Sequence, residues 1–324
     1  MIQIKTDKEF FSLQSNFDFI PYTQSQSWYD FKKGSTDIAF FVDDISSVKI
    51  AFWGREYKVP FIDKKVLIVE GECFSPDLTL KSIRAFFIEL TKLKYIGVEL
   101  NSNNVYNVNY EIGIRRAGFI RPISFFSCPL TLVVNINEPI NFNSNWKRNY
   151  KKAVKNNLIF QEVSMPDKEC LNDFCDIYNS MSQRKNLEHK LQSSDLEKLV
   201  NNTNMRLFIV KSEGGSLHSA VIMYVNNGKS YYVFATNSLE SHGVGASPFL
   251  IENILNILKL EGNSEFDFGR IPPSSHSTDN VYLFKNGIKG EGIQYNGEWS
   301  FYKSEMIEYL MHLYKKYVQK SQRY

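Results

Sequence analysis

The residues best suited to chemistry lie between Phe266 and Trp299, in the stretch FDFGRIPPSSHSTDNVYLFKNGIKGEGIQYNGEW. Asp267 ends a short apolar run, and a carboxylate in that position can orient an amine or accept its proton. His276 is a candidate base in the loop that follows. Lys285 and Arg270 are candidate anion-binding groups. Each residue also has a plainer interpretation: Asp267 caps a loop or pairs with Arg270, and His276 and Lys285 are solvated.

A second candidate site precedes a helical segment, where Gly243-Val244-Gly245-Ala246 stands. Two glycines allow the backbone to approach a ligand closely, and the N–H groups at the start of the following helix attract an anion such as a diphosphate. The glycines also fit a simple turn. A dinucleotide fingerprint is excluded, because its third glycine would fall at Pro248, and no P-loop lysine follows.

A third candidate is the basic segment Asn145–Asn157. On a helix its cations share one side, and Trp146, Tyr150, Ala153 and Val154 share the other. The cations are Lys147, Arg148, Lys151, Lys152 and Lys155. They are either a solvated face or a phosphate-binding surface, and the absence of interleaved acids favours the second interpretation.

Alternating strand and helix patterns supply the framework for these residues. In the second half, Ala220–Val225 and Ser230–Ala235 flank Asn227-Gly228, a pair that favours a tight hairpin. The next segment predicts a helix with Ser247 as N-cap and Pro248 at its first position. Phe284–Gly287 predicts a hairpin with Lys285 at its tip, and residues 121–136 predict further strand.

The first half follows a similar plan. Tyr95–Leu100 predicts a buried strand after a helical pattern, as Phe266–Gly269 does in the second half. The fold expected is therefore α/β with mixed sheets, in two similar domains. These are residues 1–142 and residues 143–324, and the second includes a basic linker helix at 145–157.

Composition limits the class of protein. The chain has 324 residues, 43% of them hydrophobic, which is enough for two cored domains. A net charge of only +3 argues against a protein dedicated to DNA. The start of the chain carries charges where a secretory signal needs an apolar run, and no apolar run is long enough to span a bilayer. We therefore expect a cytoplasmic protein.

Metal chemistry and covalent catalysis have little support in the sequence. The four cysteines form no CxxC pair, and the five histidines are scattered, so no metal site is expected. Nor can any Ser-His-Asp or Cys-His arrangement be picked out.

Three segments resemble one known family. The basic segment is similar to the R-x-N-x-x-K-A segment of the Fem-type peptidoglycan aminoacyltransferases. The block FDFGR…FKNGIKGEGIQYNGEW resembles that family's DFxG strand, loop, FK pair and glycine-rich hairpin, and the helix SPFLIENILNILKLEG also fits. The resemblance covers roughly residues 145–303.

This resemblance implies two tandem acetyltransferase-like (GNAT) domains that transfer an activated acyl or aminoacyl group to an amine of a cell-envelope precursor. It also implies that Arg148 and Lys152, with their neighbours Lys147 and Lys151, lie near the acceptor's phosphates. Lys285 would stand near the donor, in the position of the family's FK lysine.

Two departures bear on the donor. The Fem-type glycine pair after DF is Gly269-Arg270 here, and no long heptad hairpin for tRNA contact is present. Gly243–Ala246 instead resembles the pyrophosphate loop of GNAT enzymes that use acyl-CoA, although their leading Gln or Arg is Glu240 here. The expected donor is therefore acyl-CoA, most simply acetyl-CoA, held by Gly243–Ala246 and Arg270.

The expected acceptor is the amino sugar of a nucleotide- or lipid-linked glycan, because short relatives of this type resemble enzymes that acylate amino sugars of surface polysaccharides. Two alternatives stay open. One is an aminoacyl-tRNA-dependent enzyme that extends a peptidoglycan stem peptide. The other is a non-catalytic protein that binds a nucleotide sugar or glycan.

Overall fold

The structure is a computed structural model that describes residues 1–34, 36–59, 63–122, 128–184, 190–201, 204–271 and 280–317. The chain forms two compact units. Unit 1 contains Met1–Leu130 and Gln294–Tyr324, and unit 2 contains Thr131–Ile293. This division differs from the predicted domains 1–142 and 143–324, because the chain after residue 293 returns to the first unit. The reason is burial: Trp299 is 1% exposed and belongs to the hydrophobic core of unit 1.

Unit 1 begins with a short strand and two short helices, and its remaining strands and helices follow. Its first elements are β1 (Ile2–Ile4), α1 (Asp7–Gln14), a 3₁₀ turn (Tyr22–Gln24), α2 (Gln26–Lys32), β2 (Asp37–Val42) and β3 (Ile50–Lys58). They are followed by β4 (Lys65–Val69), β5 (Cys73–Phe74), α3 (Leu80–Thr91), β6 (Gly97–Val105) and α4 (Val108–Arg116).

Unit 2 follows, and the chain then ends in unit 1. The elements up to the end of the hairpin are β7 (Leu130–Asn135), α5 (Ser144–Lys155), β8 (Ile159–Val163), α6 (Lys168–Arg184), α7 (Ser193–Val200), β9 (Met205–Lys211), β10 (Leu217–Asn226) and β11 (Lys229–Asn237). The remaining elements are α8 (Ser241–Val244), α9 (Ala246–Leu260), β12 (Glu265–Ile271), α10 (Asn280–Asn286), β13 (Glu291–Tyr302) and α11 (Glu305–Tyr317).

The two units share one strand plan. In unit 1 the strand order is β1-β2-β3-β4-β6-β13, and in unit 2 it is β7-β12-β11-β10-β9-β8. Each sheet contains a parallel pair, β4 with β6 and β11 with β12, among antiparallel pairs. In each unit a helix, α3 or α9, lies in sequence between the two strands of that pair, as a parallel crossover requires. The prediction of two similar α/β domains with mixed sheets is therefore confirmed.

Hydrophobic periodicity explains the helix packing in unit 2. Leu250, Ile254 and Leu258 of α9 are each at most 1% exposed and lie in one core cluster with residues of β9, β10 and β12. Gly262 follows the helix with φ +81°, as expected after a helix end. The Asn227-Gly228 turn also forms as predicted, with both residues at positive φ between the paired strands β10 and β11.

One local prediction is wrong, and another is confirmed for part of its range. Phe284–Gly287 is not a hairpin with an exposed lysine, because Phe284 stacks on Trp146 at a ring distance of 4.9 Å and its segment is helical, as α10. Lys285 is 8% exposed. Strand structure in 121–136 is limited to β7 among the described residues, and residues 123–127 lie outside them.

None of the helices formed by the described residues is long and apolar enough to cross a membrane.

Candidate functional site

The parallel pair of unit 2 opens into a fork. Strands β11 and β12 are in register from Lys229 opposite Glu265 to Tyr231 opposite Asp267, and the pairing ends there. β11 nevertheless continues to Asn237 and β12 to Ile271. Beyond this point the two parallel strands no longer pair their backbone N–H and C=O groups with each other.

Gly269 marks the bend in β12 where the strands separate. It has φ +74°, and a Cβ at this position would lie 3.3 Å from the carbonyl oxygen of Tyr232 on β11. A residue with a side chain would be strained here by its backbone conformation. The glycine of the Gly269-Arg270 step therefore has a structural role at the fork.

Asp267 and Lys285 both hold this bend. The Gly269 N–H donates to Asp267 Oδ1 at 2.7 Å, and the Thr131 hydroxyl donates to the same oxygen. Lys285 Nζ donates to the carbonyl oxygens of Gly269 at 3.2 Å and Arg270 at 3.0 Å. The two side chains thus fix the backbone from 267 to 270 from opposite ends.

Burial also changes the acidity of Asp267. The side chain is 4% exposed, and desolvation raises its pKa to about 6. The hydrogen bonds from Thr131 and Gly269 and the charge of Lys285 oppose this rise. A carboxyl group with a pKa near 6 is able to accept and release a proton close to neutral pH.

The glycine loop, Gly243–Ala246, lies at the start of α9. Gly245 ends α8 in a left-handed conformation, with φ +77°, and its N–H donates to the Ser241 carbonyl. A Cβ on Gly245 would lie 2.1 Å from the carbonyl oxygen of Asn149 on α5. Glycine at 245 therefore allows the loop to contact the backbone of the basic helix.

Ser247 is not the N-cap that the sequence predicts. Gly245 occupies that position, and the Ser247 hydroxyl instead donates to Asn237 Oδ1 at 2.6 Å. Because the loop turns at Gly245, α9 begins at Ala246 and the serine points toward the end of β11.

A cavity of about 470 Å³ opens where β11 ends and α9 begins. Asn145, Trp146 and Asn149 of α5 form one wall, and Leu283 and Phe284 of α10 form part of another. The other lining residues are Asn237, Ser241, His242, Gly245, Ser247 and Pro248. Among these described residues there is no acid, lysine or arginine, so the cavity suits an uncharged ligand segment with hydrogen-bonding groups.

Trp146 fixes α5 against the cavity. Its indole ring stacks on Phe142 at 5.3 Å and on Phe284 at 4.9 Å, and its Nε1 donates to the Phe284 carbonyl at 3.0 Å. A Cβ on Gly287 would lie 2.1 Å from that nitrogen. These contacts hold the indole ring in place.

The basic face of α5 is solvent-exposed, as predicted. All five of its cations, Lys147, Arg148, Lys151, Lys152 and Lys155, are exposed. Val154 is exposed as well, at 53%, and so does not share the buried side with Trp146 and Ala153. Lys147 lies near Glu252 of α9, whose pKa is raised by burial while the lysine charge opposes the rise.

The structure thus brings together some of the residues predicted from sequence. Gly245 lines the cavity, whereas Gly243, Val244 and Ala246 flank it in the same loop. Asp267, Lys285 and Arg270 meet at the fork without lining the cavity. His276 lies outside the described residues.

Six polar residues of the cavity were not identified as site residues from the sequence: Asn145, Asn149, Asn237, Ser241, His242 and Ser247. A signal existed for the first two, because asparagines at positions i and i+4 of a helix lie on one face. Asn237 and His242 flank the glycine loop, but only the fold brings them to the same cavity. No group of three His, Cys, Asp or Glu side chains that could hold a metal ion occurs among the described residues.

The corresponding end of unit 1 is packed with its own side chains. Its parallel pair is in register up to Val69 opposite Leu100. Just beyond it, Glu72 is 1% exposed and accepts from the Ser102 hydroxyl at 2.6 Å and from Asn104 Nδ2 at 3.1 Å.

No protein-family model and no curated protein sequence matches this chain. Solved structures do. The structure of FemX has a TM-score of 0.77 at 13% identity, with 96% of this chain and 100% of FemX covered. L-PGS from Bacillus licheniformis has a TM-score of 0.66 at 13% identity, with 98% of each chain covered.

A tandem GNAT protein from the clavulanic acid biosynthesis pathway has a TM-score of 0.54 at 9% identity, with 92% of this chain and 96% of that protein covered. At such identities the likeness concerns the fold and not the activity. The chain therefore has a tandem GNAT-like fold, and the FemX structure shares its overall architecture.

Proposed function

We propose that this protein is an N-acyltransferase that moves an acyl group from acyl-CoA to an amine of a cell-envelope precursor. The proposed acceptor is the amino sugar of a nucleotide- or lipid-linked glycan. The observation that carries the proposal is the fork between β11 and β12, which opens beside an uncharged cavity at the start of α9. Where two parallel strands separate, backbone N–H groups can donate to the carbonyl oxygen of a thioester. The neighbouring helix N-terminus can bind the anionic part of the same donor molecule.

The proposed reaction is direct transfer. The acceptor amine attacks the thioester carbonyl, a C–N bond forms, the C–S bond breaks, and the thiolate leaves as CoA. Backbone N–H groups of the fork stabilise the oxyanion that develops. Asp267 is the proposed acceptor of the amine proton, through a water molecule, because its carboxyl does not line the cavity.

The charged groups have separate proposed roles. The donor's diphosphate is assigned to Gly243–Ala246 at the start of α9, with Arg270 nearby. The acceptor's phosphates are assigned to the exposed cations of α5, namely Lys147, Arg148, Lys151 and Lys152. Lys285 is assigned to the donor side of the fork. Because the cavity itself carries no cation among its described lining residues, phosphates fit its rim better than its interior.

The donor is tested by direct comparison. Two donors, acetyl-CoA and a mixture of charged tRNAs, are tested separately. Each donor is combined with UDP-linked amino sugars and, in a second assay, with a stem-peptide precursor as the acceptor. We expect acyl transfer from acetyl-CoA to the amino sugar. Transfer from tRNA to the peptide would instead support a Fem-type aminoacyltransferase, and the fold shared with FemX makes this the second candidate.

A binding protein without activity is tested by thermal shift. A ligand that binds the folded state raises the melting temperature. We expect a rise with CoA. A rise with UDP-sugars and none with CoA, together with no turnover, would identify a nucleotide-sugar-binding protein.

The site is tested by substitution. Lys285→Ala and Asp267→Asn are each expected to lower turnover at least tenfold, whereas Lys259→Ala, an exposed lysine of α9, is not. If both substitutions at the fork leave turnover unchanged, the assignment of these residues is wrong.

A further inference from the structure

The side chain of Asn237 is held in one orientation at the end of β11. Asn237 lies opposite Ser219 in the register of β10 and β11. Asn237 Oδ1 accepts from the Ser219 hydroxyl at 2.7 Å and from the Ser247 hydroxyl at 2.6 Å. With both hydroxyl groups donating to Oδ1, the amide nitrogen of Asn237 lies on the side of the carboxamide away from the two serines.

This orientation leaves the amide nitrogen available. In the part of the chain that the structure describes, no protein atom accepts a hydrogen bond from Asn237 Nδ2. The residue lines the cavity, where a ligand can reach it. The two N–H groups of Asn237 are therefore donors suited to a carbonyl oxygen of a bound molecule.

The rest of the cavity limits what that molecule is. Amide, hydroxyl and imidazole groups line it, with no acid, lysine or arginine among the described lining residues. The indole ring of Trp146 already stacks on Phe142 and on Phe284. An uncharged chain with amide groups fits these walls better than a phosphate or a stacked base. The pantetheine arm of CoA is such a chain.

We propose that Asn237 is the residue that selects the donor, by donating from Nδ2 to an amide carbonyl of a pantetheine thioester. This inference rests on the proposed function. Ser219 and Ser247 act through Asn237 as positioning residues, because their hydroxyl groups hold its carboxamide. An aminoacyl-tRNA has no pantetheine amide with which to make this contact.

The test measures the dissociation constants of three probes by calorimetry: CoA, S-acetylpantetheine and adenosine 3′,5′-bisphosphate. Asn237→Asp replaces the N–H donors with an acceptor in the same shape. We expect binding of CoA and of S-acetylpantetheine to weaken at least about tenfold, because two oxygens would face each other. Binding of the bisphosphate should stay within about twofold.

Asn253→Asp is the matched control. Its side chain donates to the Phe249 carbonyl at 2.7 Å on the same helix as Ser247, and it does not line the cavity. It introduces the same charge and should leave the constants of all three probes unchanged. Equal weakening in both variants would overturn the proposal, because the effect would then come from charge alone.

Ser219→Ala gives an independent result if Asn237→Asp does not fold. Ser219 is 1% exposed and lies outside the cavity lining, so its loss acts through Asn237. We expect KM for acetyl-CoA to rise by about threefold to tenfold with kcat unchanged. An unchanged KM would overturn the proposal.

The outcomes also separate this inference from the function on which it rests. If wild-type protein binds CoA and Asn237→Asp binds it equally well, the role of Asn237 is wrong and the donor assignment stands. If wild-type protein binds neither CoA nor S-acetylpantetheine, the donor assignment fails first, and the role of Asn237 fails with it.

Discussion

The buried carboxyl of Asp267 makes the stability of the fork depend on pH. Its hydrogen bonds with Thr131 and Gly269 tie three separate points of unit 2 together, and its burial raises its pKa to about 6. A raised pKa means that folding favours the protonated form. The side chain therefore fixes the backbone at a cost to stability whenever it is ionised.

We predict a pH-dependent stability difference between Asp267→Asn and the wild type. From about pH 4 to pH 6, the folded protein binds a proton at Asp267 more tightly than the unfolded chain does, so the wild type loses stability as the pH rises through this window. A carboxyl pKa raised from 3.8 to about 6 corresponds to about 3 kcal/mol. Urea unfolding at pH 4 and pH 7 should show the variant gaining roughly 2–3 kcal/mol relative to the wild type.

The exposed Asp176 of α6 provides the control for this measurement. Asp176→Asn should change the free energy of unfolding by a similar amount at both pH values. A difference between Asp267→Asn and the wild type that stays constant across the window would contradict the buried titration of Asp267.

At the scale of elements, the contact between α5 and the start of α9 forms the cavity. The backbone of Gly245 lies against the carbonyl of Asn149, so two helices approach each other where neither has a side chain in the way. Asn145 and Asn149 then face the cavity from one helix while Ser247 faces it from the other.

We predict that Gly245→Ala destabilises unit 2 by at least about 2 kcal/mol. The added Cβ would lie 2.1 Å from the Asn149 carbonyl oxygen, and alanine is also strained at φ +77°. Urea unfolding measures the loss, and binding of CoA should weaken as the loop moves.

Substitutions at two other glycines separate the strain of a positive φ from the steric contact with Asn149. Gly262→Ala carries only the strain of positive φ, at +81°, because no atom lies within 4 Å of its Cβ position. Gly243→Ala carries neither strain nor a contact within 4 Å. A loss at Gly245 no larger than the loss at Gly262 would show that the loop can move away from α5 freely.

We predict that the basic face of α5 determines acceptor binding. The double substitution Lys151→Glu with Lys152→Glu should raise KM for a diphosphate-bearing acceptor about tenfold, because the glutamates repel the phosphates. KM should also depend less on the salt concentration, because salt screens the attraction between these lysines and the phosphates. KM for acetyl-CoA should change less than twofold. Steady-state kinetics at two salt concentrations measure both quantities.

Lys168→Glu with Lys259→Glu makes the same change in net charge at exposed positions of α6 and α9. This pair should leave the acceptor's KM unchanged. If both pairs raise it equally, the effect comes from the total charge and not from α5.

At the scale of the whole molecule, the chain leaves unit 1, builds unit 2 and returns. Strand β13 pairs with β6 from Tyr295 opposite Val105 to Tyr302 opposite Gly97. Trp299 lies in the core of unit 1, with Arg121 over its ring at 4.1 Å. Unit 1 is therefore complete only when the last strand has been added.

We predict that a chain ending at Ile293 has an unfolded unit 1 and a folded unit 2. Such a chain lacks Trp299, and loss of a buried tryptophan side chain alone costs about 3–5 kcal/mol. Limited trypsin digestion should cut rapidly at Lys49 and Arg84 and slowly at Arg206 and Lys229.

A chain ending at Ser304 is the control. It keeps β13 and lacks α11, whose residues Met306, Tyr309 and Leu310 are all exposed. Unit 1 should then resist trypsin as it does in the full chain. Equal protection of Lys49 in the shorter chain would show that β13 is dispensable.

Much of this arrangement could be predicted from the sequence, because it depends on local patterns. The apolar stripe of α9, the Asn227-Gly228 turn and the charged face of α5 each follow from residue spacing within one segment. The strand plan of two similar halves follows as well, since each half repeats the order of strands and helix. The resemblance of residues 145–303 to a known family pointed to the fold that the structure shows.

Only the tertiary structure decided where the site lies. Lys285 reads as a surface lysine until Phe284 packs on Trp146 and makes its segment helical. Ser247 reads as a cap until Gly245 turns the chain and directs its hydroxyl to Asn237. The fork and the cavity arise from contacts between residues far apart in the chain, such as Trp146 with Phe284 and Thr131 with Asp267. Hydrophobic periodicity carries no information about such contacts, because it reports which face of an element is buried and not which partner covers it.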